Sequence, residues 1–234
     1  MGFAHPFPAI LSLDRPHLVA IFAQSLDGKI AAHRAQRPSF SSPEDYRHLE
    51  TQAAQQQALI MGAATLRAYG TSLRIRDPEL IQRRTAQGLF PQPLTIICSG
   101  SGDIPEDLPF FRQPLTRWLW TTPKGSQIWR NRTGFEDIWV AADWDLSARL
   151  ARLRSLGIER VGLLGGGRLL GAFLQAGALD ELWVTLAPVL LSGYADAPAS
   201  IEGWQVQGSL PQLELLECRR GSKELFLRYR VEWP

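Results

Sequence analysis

The sequence predicts an α/β protein whose mostly parallel central sheet carries helices on both faces and ends in an antiparallel hairpin. Three observations lead there. Apolar runs of strand length alternate with helix-like segments nearly throughout. Two of those runs end in glycine turns that open helices. The last two strand-like runs flank Arg219-Arg220-Gly221-Ser222, the pattern of a hairpin.

Residues 18–23 (LVAIFA) are apolar without interruption, as a strand buried on both faces should be. Ser42-Pro43-Glu44-Asp45 places a cap, a first-turn proline and first-turn carboxylates ahead of a helix reaching about residue 57. A short strand at 58–61 turns at Gly62 into a helix over 64–69. Residues 74–93 are polar, arginine-rich and without period, so a long mobile loop is expected there. Strands follow at 94–98 and 115–121, the second carrying Trp118 and Trp120 on one face as core packing. Strands at 137–141 and 160–164 bracket an arginine-rich amphipathic helix over 146–156. Gly165-Gly166-Gly167 then opens a helix to about 176, and a strand covers 181–187. Strands over 213–218 and 224–231 form the hairpin. With no repeat and no linker, residues 1–234 are expected to form one domain, 1–16 being an irregular N-terminal extension.

Composition narrows the function. Hydrophobic residues are 45% and charged residues 21% of the chain, the balance of a protein with a filled core. A formal charge of +2 gives no support for nucleic-acid binding. All basic residues but Lys29, Lys124 and Lys223 are arginine. Cys98 and Cys218 offer neither metal-ligand spacing nor a disulfide framework, and both are expected as buried thiols in a reducing compartment. His5, His17, His33 and His48 have no ligand spacing, so no metal is expected. The N-terminal residues lack a basic leader, and no apolar stretch approaches a membrane span. A cytoplasmic protein without a membrane partner is the expectation.

The triple glycine carries the most chemistry. Strand, glycine turn and helix in that order converge backbone N–H groups where an anion can approach the main chain closely. The same glycines can serve only to pack a helix on a strand. Met61-Gly62-Ala63-Ala64-Thr65 repeats the arrangement, and Thr65 there can contact a phosphate or help cap its helix. Two such starts in one sheet suggest a dinucleotide pyrophosphate lying between Gly62 and Gly166. The position of the triple glycine late in the chain disfavours an ordinary Rossmann fold.

Residues 23–31 (AQSLDGKIA) resemble the ASLDGK(I/T)A motif of the riboflavin-biosynthesis pyrimidine reductases, the RibD C-terminal family. Met61-Gly62-Ala63-Ala64-Thr65-Leu66 resembles their G-x-x-T turn. Residues 163–167, 173–182 and Ala187-Pro188 follow the family's GGG…L-x-x-G-L-V-D-E-L…A-P order. The resemblance spans about residues 16–232. It implies a dihydrofolate-reductase-like fold, a homodimer, and an NADPH-dependent reduction that opens the ribose of a phosphoribosylamino-pyrimidine. It assigns the cofactor to Gln24, Thr65, Ser99 and the segment Gly166, Gly167, Arg168, Leu169, Leu170 and Gly171, beside Gly62. It assigns the substrate, a small phosphorylated heterocycle, to Leu73 and Arg76, with Arg74 nearby as a second phosphate ligand or as a solvated loop residue. Ser99-Gly100-Ser101 would lie near the adenosine 2′-phosphate, with Lys124 or Arg168 supplying charge.

Four positions depart from the family pattern: Ile21, Ala53, Tyr69 and Leu164 stand where polar or charged groups are usual. They admit two other readings, a reductase of another heterocycle such as a pterin and a catalytically silent nucleotide-binding relative. Asp27 reads first as a tight Asp-Gly turn and second as an acid orienting a ligand. Glu44 and Asp45 read as first-turn residues that cap the helix and complement its dipole, and Glu50 lies further along it.

Overall fold

A computed structural model describes residues 14–34, 36, 40–193, 195–205 and 209–234. Most of the 1–16 extension therefore lies outside the described residues. Within it, Arg15 donates to both carboxylate oxygens of Asp180 at 2.7 and 2.8 Å.

Nine strands form one sheet: β1 (His17–Ser25), β2 (Ala58–Gly62), β3 (Leu94–Cys98), β4 (Arg117–Thr121), β5 (Asp137–Val140), β6 (Arg160–Leu163), β7 (Glu181–Ala187), β8 (Gln212–Arg220) and β9 (Leu225–Glu232). Their order is β5-β4-β3-β2-β6-β1-β7-β9-β8. β1 to β7 are mutually parallel, and β7-β9 and β9-β8 are antiparallel. This is the expected sheet with its C-terminal hairpin. The parallel part is buried on both faces, which explains its unbroken apolar runs. One face packs Leu18, Ala20, Ile60 and Leu163 against α5 (Leu146–Ser155) and α6 (Gly167–Gln175). The other packs Val19, Ile21, Leu59 and Met61 against α1 (Pro43–Ala53) and α2 (Ala63–Tyr69). Trp120 is fully buried, and Trp118 and Trp120 both meet Trp139, with ring centroids 4.9 and 5.8 Å away.

The helix starts follow their caps. Ser42 Oγ accepts from Asp45 N at 3.0 Å and Pro43 opens α1; Asp145 Oδ1 accepts from Ala148 N at 3.0 Å at the start of α5. The same device builds two helices that periodicity alone does not show. α3 (Pro78–Ala86) starts at Asp77-Pro78, with Asp77 Oδ1 accepting from Glu79 N at 2.8 Å. α4 (Pro123–Trp129) starts at Thr122-Pro123.

Residues 74–93 are therefore not a long loop without structure. The arginine that obscures the period is what anchors the segment. Arg84 is 2% exposed; its guanidinium donates to Ala54 O (2.7 Å), Gln56 O (2.6 Å) and Phe90 O (2.9 Å). Burial lowers its pKa to about 10, so it stays charged. Its grip on Ala54 and Gln56 also accompanies the end of α1 at Ala53, short of residue 57. A second correction concerns the cysteines. Cys98 is buried, its thiol pushed up to about 12 by burial, whereas Cys218 is exposed. β8 is an edge strand that no layer covers on either face.

Replacing Arg84 by Met is expected to lower stability by about 2–4 kcal/mol, because two buried carbonyls and a part-buried one lose their donor. Urea denaturation checks this; an unchanged midpoint would show that α3 is held by something else.

Candidate cofactor and substrate site

β6 lies between β2 and β1, parallel to both, with Ile60 opposite Leu163 and Leu164 N donating to Ile60 O at 2.8 Å. α2 leaves β2 over one face, and α6 leaves β6 over the other. Neighbouring parallel strands whose helices diverge leave a crevice at their carboxyl ends, where α/β sheets bind ligands. Gly62 and Gly165-Gly166 stand at that crevice. Gly165 and Gly166 have φ of +72° and +93°, backbone that other residues rarely adopt. A Cβ on Gly166 would lie 3.2 Å from Thr65 Oγ1 and 3.7 Å from Leu169 Cβ; one on Gly62 would lie 3.9 Å from Leu169 Cδ2. Gly62, Thr65, Gly166 and Leu169 thus converge, and the opening exists because the glycines have no side chains. Gly166 caps α6 without a side-chain acceptor, which leaves the first amides of that helix for an anion.

The remaining residues of the segment do other work. A Cβ on Gly167 would lie 2.4 Å from Ala199 O, and one on Gly171 would lie 2.0 Å from Glu202 O. These two glycines let α6 press against residues 199–204. Arg168 points to solvent with Glu202 3.7 Å away, the same carboxylate that Arg34 grips at 2.8 and 3.0 Å. Gln24 is half-buried near the end of β1, opposite Leu186. Ser99 is buried beyond β3, its Oγ accepting from Gly102 N at 3.1 Å. Asp27 is a turn residue that also staples two loops. It accepts from Ser25 Oγ (2.6 Å), Leu191 N (3.1 Å), and both the amide and hydroxyl of Ser192. Chiefly the Ser192 and Ser25 hydroxyls hold its carboxyl well below the usual range.

The substrate candidates lie along α1. Leu73 is buried; Arg74 and Arg76 are exposed on an extended segment whose Arg76 and Asp77 amides both donate to Glu50 Oε1. Both guanidinium groups act on the Tyr46 hydroxyl, whose pKa burial raises and whose shift Arg76 and Arg74 oppose. Among the described residues no hydrogen bond or ion pair joins this group to the glycine turns. Ile21, Ala53 and Leu164 are 3%, 0% and 6% exposed and share one apolar cluster; Tyr69 ends α2, half-buried. No group of three or more potential metal ligands occurs among the described residues.

Glu44 and Asp45 stand in the first turn of α1 as expected, with Ser42 doing the capping, and each carboxylate also has a partner beyond the helix. Glu44 accepts from Ser222 N at 3.0 Å and Ser222 Oγ at 3.1 Å, tying α1 to the β8-β9 turn. Asp45 is 7% exposed; burial raises its carboxyl to about 6, against a hydrogen bond from Thr185 and with Glu224 adding repulsion. Glu224, 4% exposed, accepts from Ser42 Oγ at 2.7 Å. The clue in the sequence is spacing. Asp45, His48 and Gln52 recur at three and four residues on one helix face, and that face is buried. Burial also lowers His48 to about 4, where its ring packs 4.9 Å from that of Trp183.

The sheet order, the crevice and the closing hairpin define the α/β class that includes dihydrofolate reductases. Residues 16–227 match the RibD C-terminal domain, and the chain belongs to that family. It is 26% identical over 220 residues to the riboflavin biosynthesis protein RibD of Escherichia coli, covering 91% of this chain and 59% of that protein. It thus spans little more than half the length of that relative. It is 25% identical over 201 residues to the 2,5-diamino-6-ribosylamino-4(3H)-pyrimidinone 5′-phosphate reductase of Archaeoglobus fulgidus, covering 81% and 87%. A pyrimidine reductase-like protein of Corynebacterium diphtheriae superposes with a TM-score of 0.76 at 17% identity, over 94% of this chain and 93% of that one. No helix among the described residues is long and apolar enough to cross a membrane.

The environment of Asp45 has a pH consequence. Its folded pKa lies above the unfolded value, so ionisation costs stability as pH rises from about 4 and in full above about 6. Asp45→Asn is expected to raise the melting temperature at pH 8, by a gain of at most about 2–3 kcal/mol that vanishes near pH 4. Melting curves that show no pH-dependent difference would disprove an uncompensated carboxyl.

Proposed function

We propose that the chain is an NADPH-dependent reductase of riboflavin biosynthesis acting on a phosphoribosylamino-pyrimidine, a small phosphorylated heterocycle. The observation that carries the reading is the β2–β6 crevice, where Gly62, Thr65, Gly166 and Leu169 converge on an opening that a Cβ would fill. Membership of the RibD C-terminal family supports it, as do the reductase names of its relatives. NADPH, when bound, supplies the hydride that opens the ribose to a ribityl chain.

In this reading Gly62, Thr65 and Gly166 hold the pyrophosphate, the first amides of α6 donate to it, and the rest of the segment to Gly171 positions that helix. Gln24 orients the cofactor near β1, and Ser99 stands at the end of β3 towards the adenosine. Leu73 packs against the substrate, and Arg76 with Arg74 takes its phosphate. Both guanidinium groups are exposed and without an ion pair among the described residues. The protein acts in the cytoplasm as a homodimer. β8, uncovered on both faces and exposing Leu213 and Leu215, is the surface that fits a second copy.

The apolar cluster of Ile21, Ala53 and Leu164 favours a second reading within the same chemistry, a reductase of a less polar heterocycle such as a pterin. A polyhydroxylated substrate beside that cluster leaves polar groups unpaired at about 1–3 kcal/mol each. A catalytically silent relative is the limiting case.

Gly166→Val puts a β-branched residue at φ +93° beside Thr65. It is expected to abolish NADPH binding by calorimetry while the circular dichroism spectrum stays native. Unchanged affinity would remove the crevice as the cofactor site. With NADPH and the authentic phosphoribosylamino-pyrimidine, turnover is expected with a kcat/KM below that of an established family member. Equal values would show that the apolar exchanges do not matter, and no turnover beside intact NADPH binding would favour the second reading.

A further inference from the structure

We propose that Trp144 forms the aromatic wall of the adenine subsite at the β3–β4 rim, an inference that rests on the cofactor reading above. The residue is 40% exposed, in the turn between β5 and α5. It reaches across the end of β4 to the loop after β3. A Cβ on Gly100 would lie 3.6 Å from Trp144 Cζ2 and 3.7 Å from Nε1, with Thr122 Cγ2 at 3.8 Å. The indole therefore borders the Ser99-Gly100-Ser101 loop.

That loop is rigid, and its carbonyls are turned inward. Thr121 Oγ1 donates to Ser99 O at 2.7 Å, Thr122 Oγ1 to Gly100 O at 2.7 Å, and Trp129 Nε1 to Gly102 O at 2.7 Å. Gly102 has φ +69°, and a Cβ there would lie 2.4 Å from Gly125 O, so the loop is stitched to α4. The amides of Gly100 and Ser101 have no partner among the described residues. A loop with its acceptors bound inside and its donors left over suits a ligand rich in acceptors.

The ring is held in place from behind. The Arg149 guanidinium lies 5.1 Å from the Trp144 ring centroid and 5.4 Å from that of Trp120, and donates to Trp139 O at 3.3 Å and Thr121 O at 3.2 Å. A cation backing one face of a half-exposed indole leaves the ring able to stack a planar heterocycle on the other. The ring would replace solvent with the purine while the Gly100 and Ser101 amides and the Ser101 hydroxyl meet the ribose and its phosphate. Asp143 and Asp145 flank Arg149 electrostatically, and Asp145 is occupied at the α5 cap. The positive charge facing the subsite is thus partly neutralised, and stacking must carry more of the affinity.

The test uses the two halves of the cofactor separately, adenosine 2′,5′-bisphosphate and nicotinamide mononucleotide, titrated calorimetrically into wild type, Trp144→Ala and Trp144→Phe. Trp144→Ala is expected to weaken the adenosine half by about 5- to 150-fold, the range that stacking on an aromatic ring supplies. Trp144→Phe should stay within about threefold of wild type. The nicotinamide half should bind all three proteins alike. Wild-type affinity of Trp144→Ala for the adenosine half, or equal loss of both halves, overturns the assignment of Trp144. Either result leaves the cofactor reading standing as long as wild type binds NADPH. A wild type that binds neither NADPH nor the bisphosphate overturns both.

Discussion

The site depends on one constraint, the insertion of β6 between β2 and β1. Its parallel pairing on both sides brings the two glycine turns next to each other although about a hundred residues separate them. Close packing makes the insertion feasible. A Cβ on Gly162 would lie 2.8 Å from Leu59 Cδ2 and 3.0 Å from Gln56 Cγ, so a side chain there would have to displace theirs. With β6 in place, α2 and α6 leave on opposite faces, and Thr65 and Gly166 meet at the divide between them. The positive φ of Gly165 and Gly166 then favours glycine at both positions, so neither adds a side chain beside Thr65 and Leu169.

α1 is the second organiser, and it works through carboxylates. Glu50 accepts the amides of Arg76 and Asp77, placing the start of α3, while Glu44 accepts the Ser222 amide, placing the hairpin turn. Such bonds from backbone donors to a charged acceptor are stronger than neutral ones. They fix two distant segments without apolar contact, which suits surfaces that must stay polar. Asp45, between them, has no cation to offset it, and burial raises its carboxyl to about 6. One helix thus carries three acids with three different roles, and first-turn position does not separate Glu44 from Asp45.

The architecture was legible because its parallel strands are buried on both faces and so read as unbroken apolar runs. The caps were legible only where a periodic helix followed. Asp77-Pro78 and Thr122-Pro123 carry the same start as Ser42-Pro43, yet the buried residue of α3 is a cation, Arg84, and α4 is only about two turns long. α3 is fastened instead by the buried guanidinium of Arg84, a contact that periodicity cannot encode. Cys218 misled for a related reason: β8 alternates like a half-buried strand, but no layer covers it. Glycine chemistry was legible only as a choice. Gly165 and Gly166 need positive φ and Gly167 and Gly171 need room for residues 199–204, a distinction that appears only once the chain is folded.

The apolar exchanges bear on whether the site has decayed or changed. A binding site losing its role by random substitution should leave orphans, because removing one partner of a buried polar pair strands the other. Ile21, Ala53 and Leu164 instead pack into one cluster with Leu59, Met61 and Trp183. Buried polar atoms without partners occur among the described residues at His48, Gln56, Ser72, Thr95, Trp120 and Arg149, and the His48 ring packs against Trp183 of that cluster. Position 21 is almost wholly buried, so a charged side chain there would need a partner within the fold. The three side chains are packed as core, and the glycine turn begins directly beside them, since Gly165 follows Leu164 in the chain.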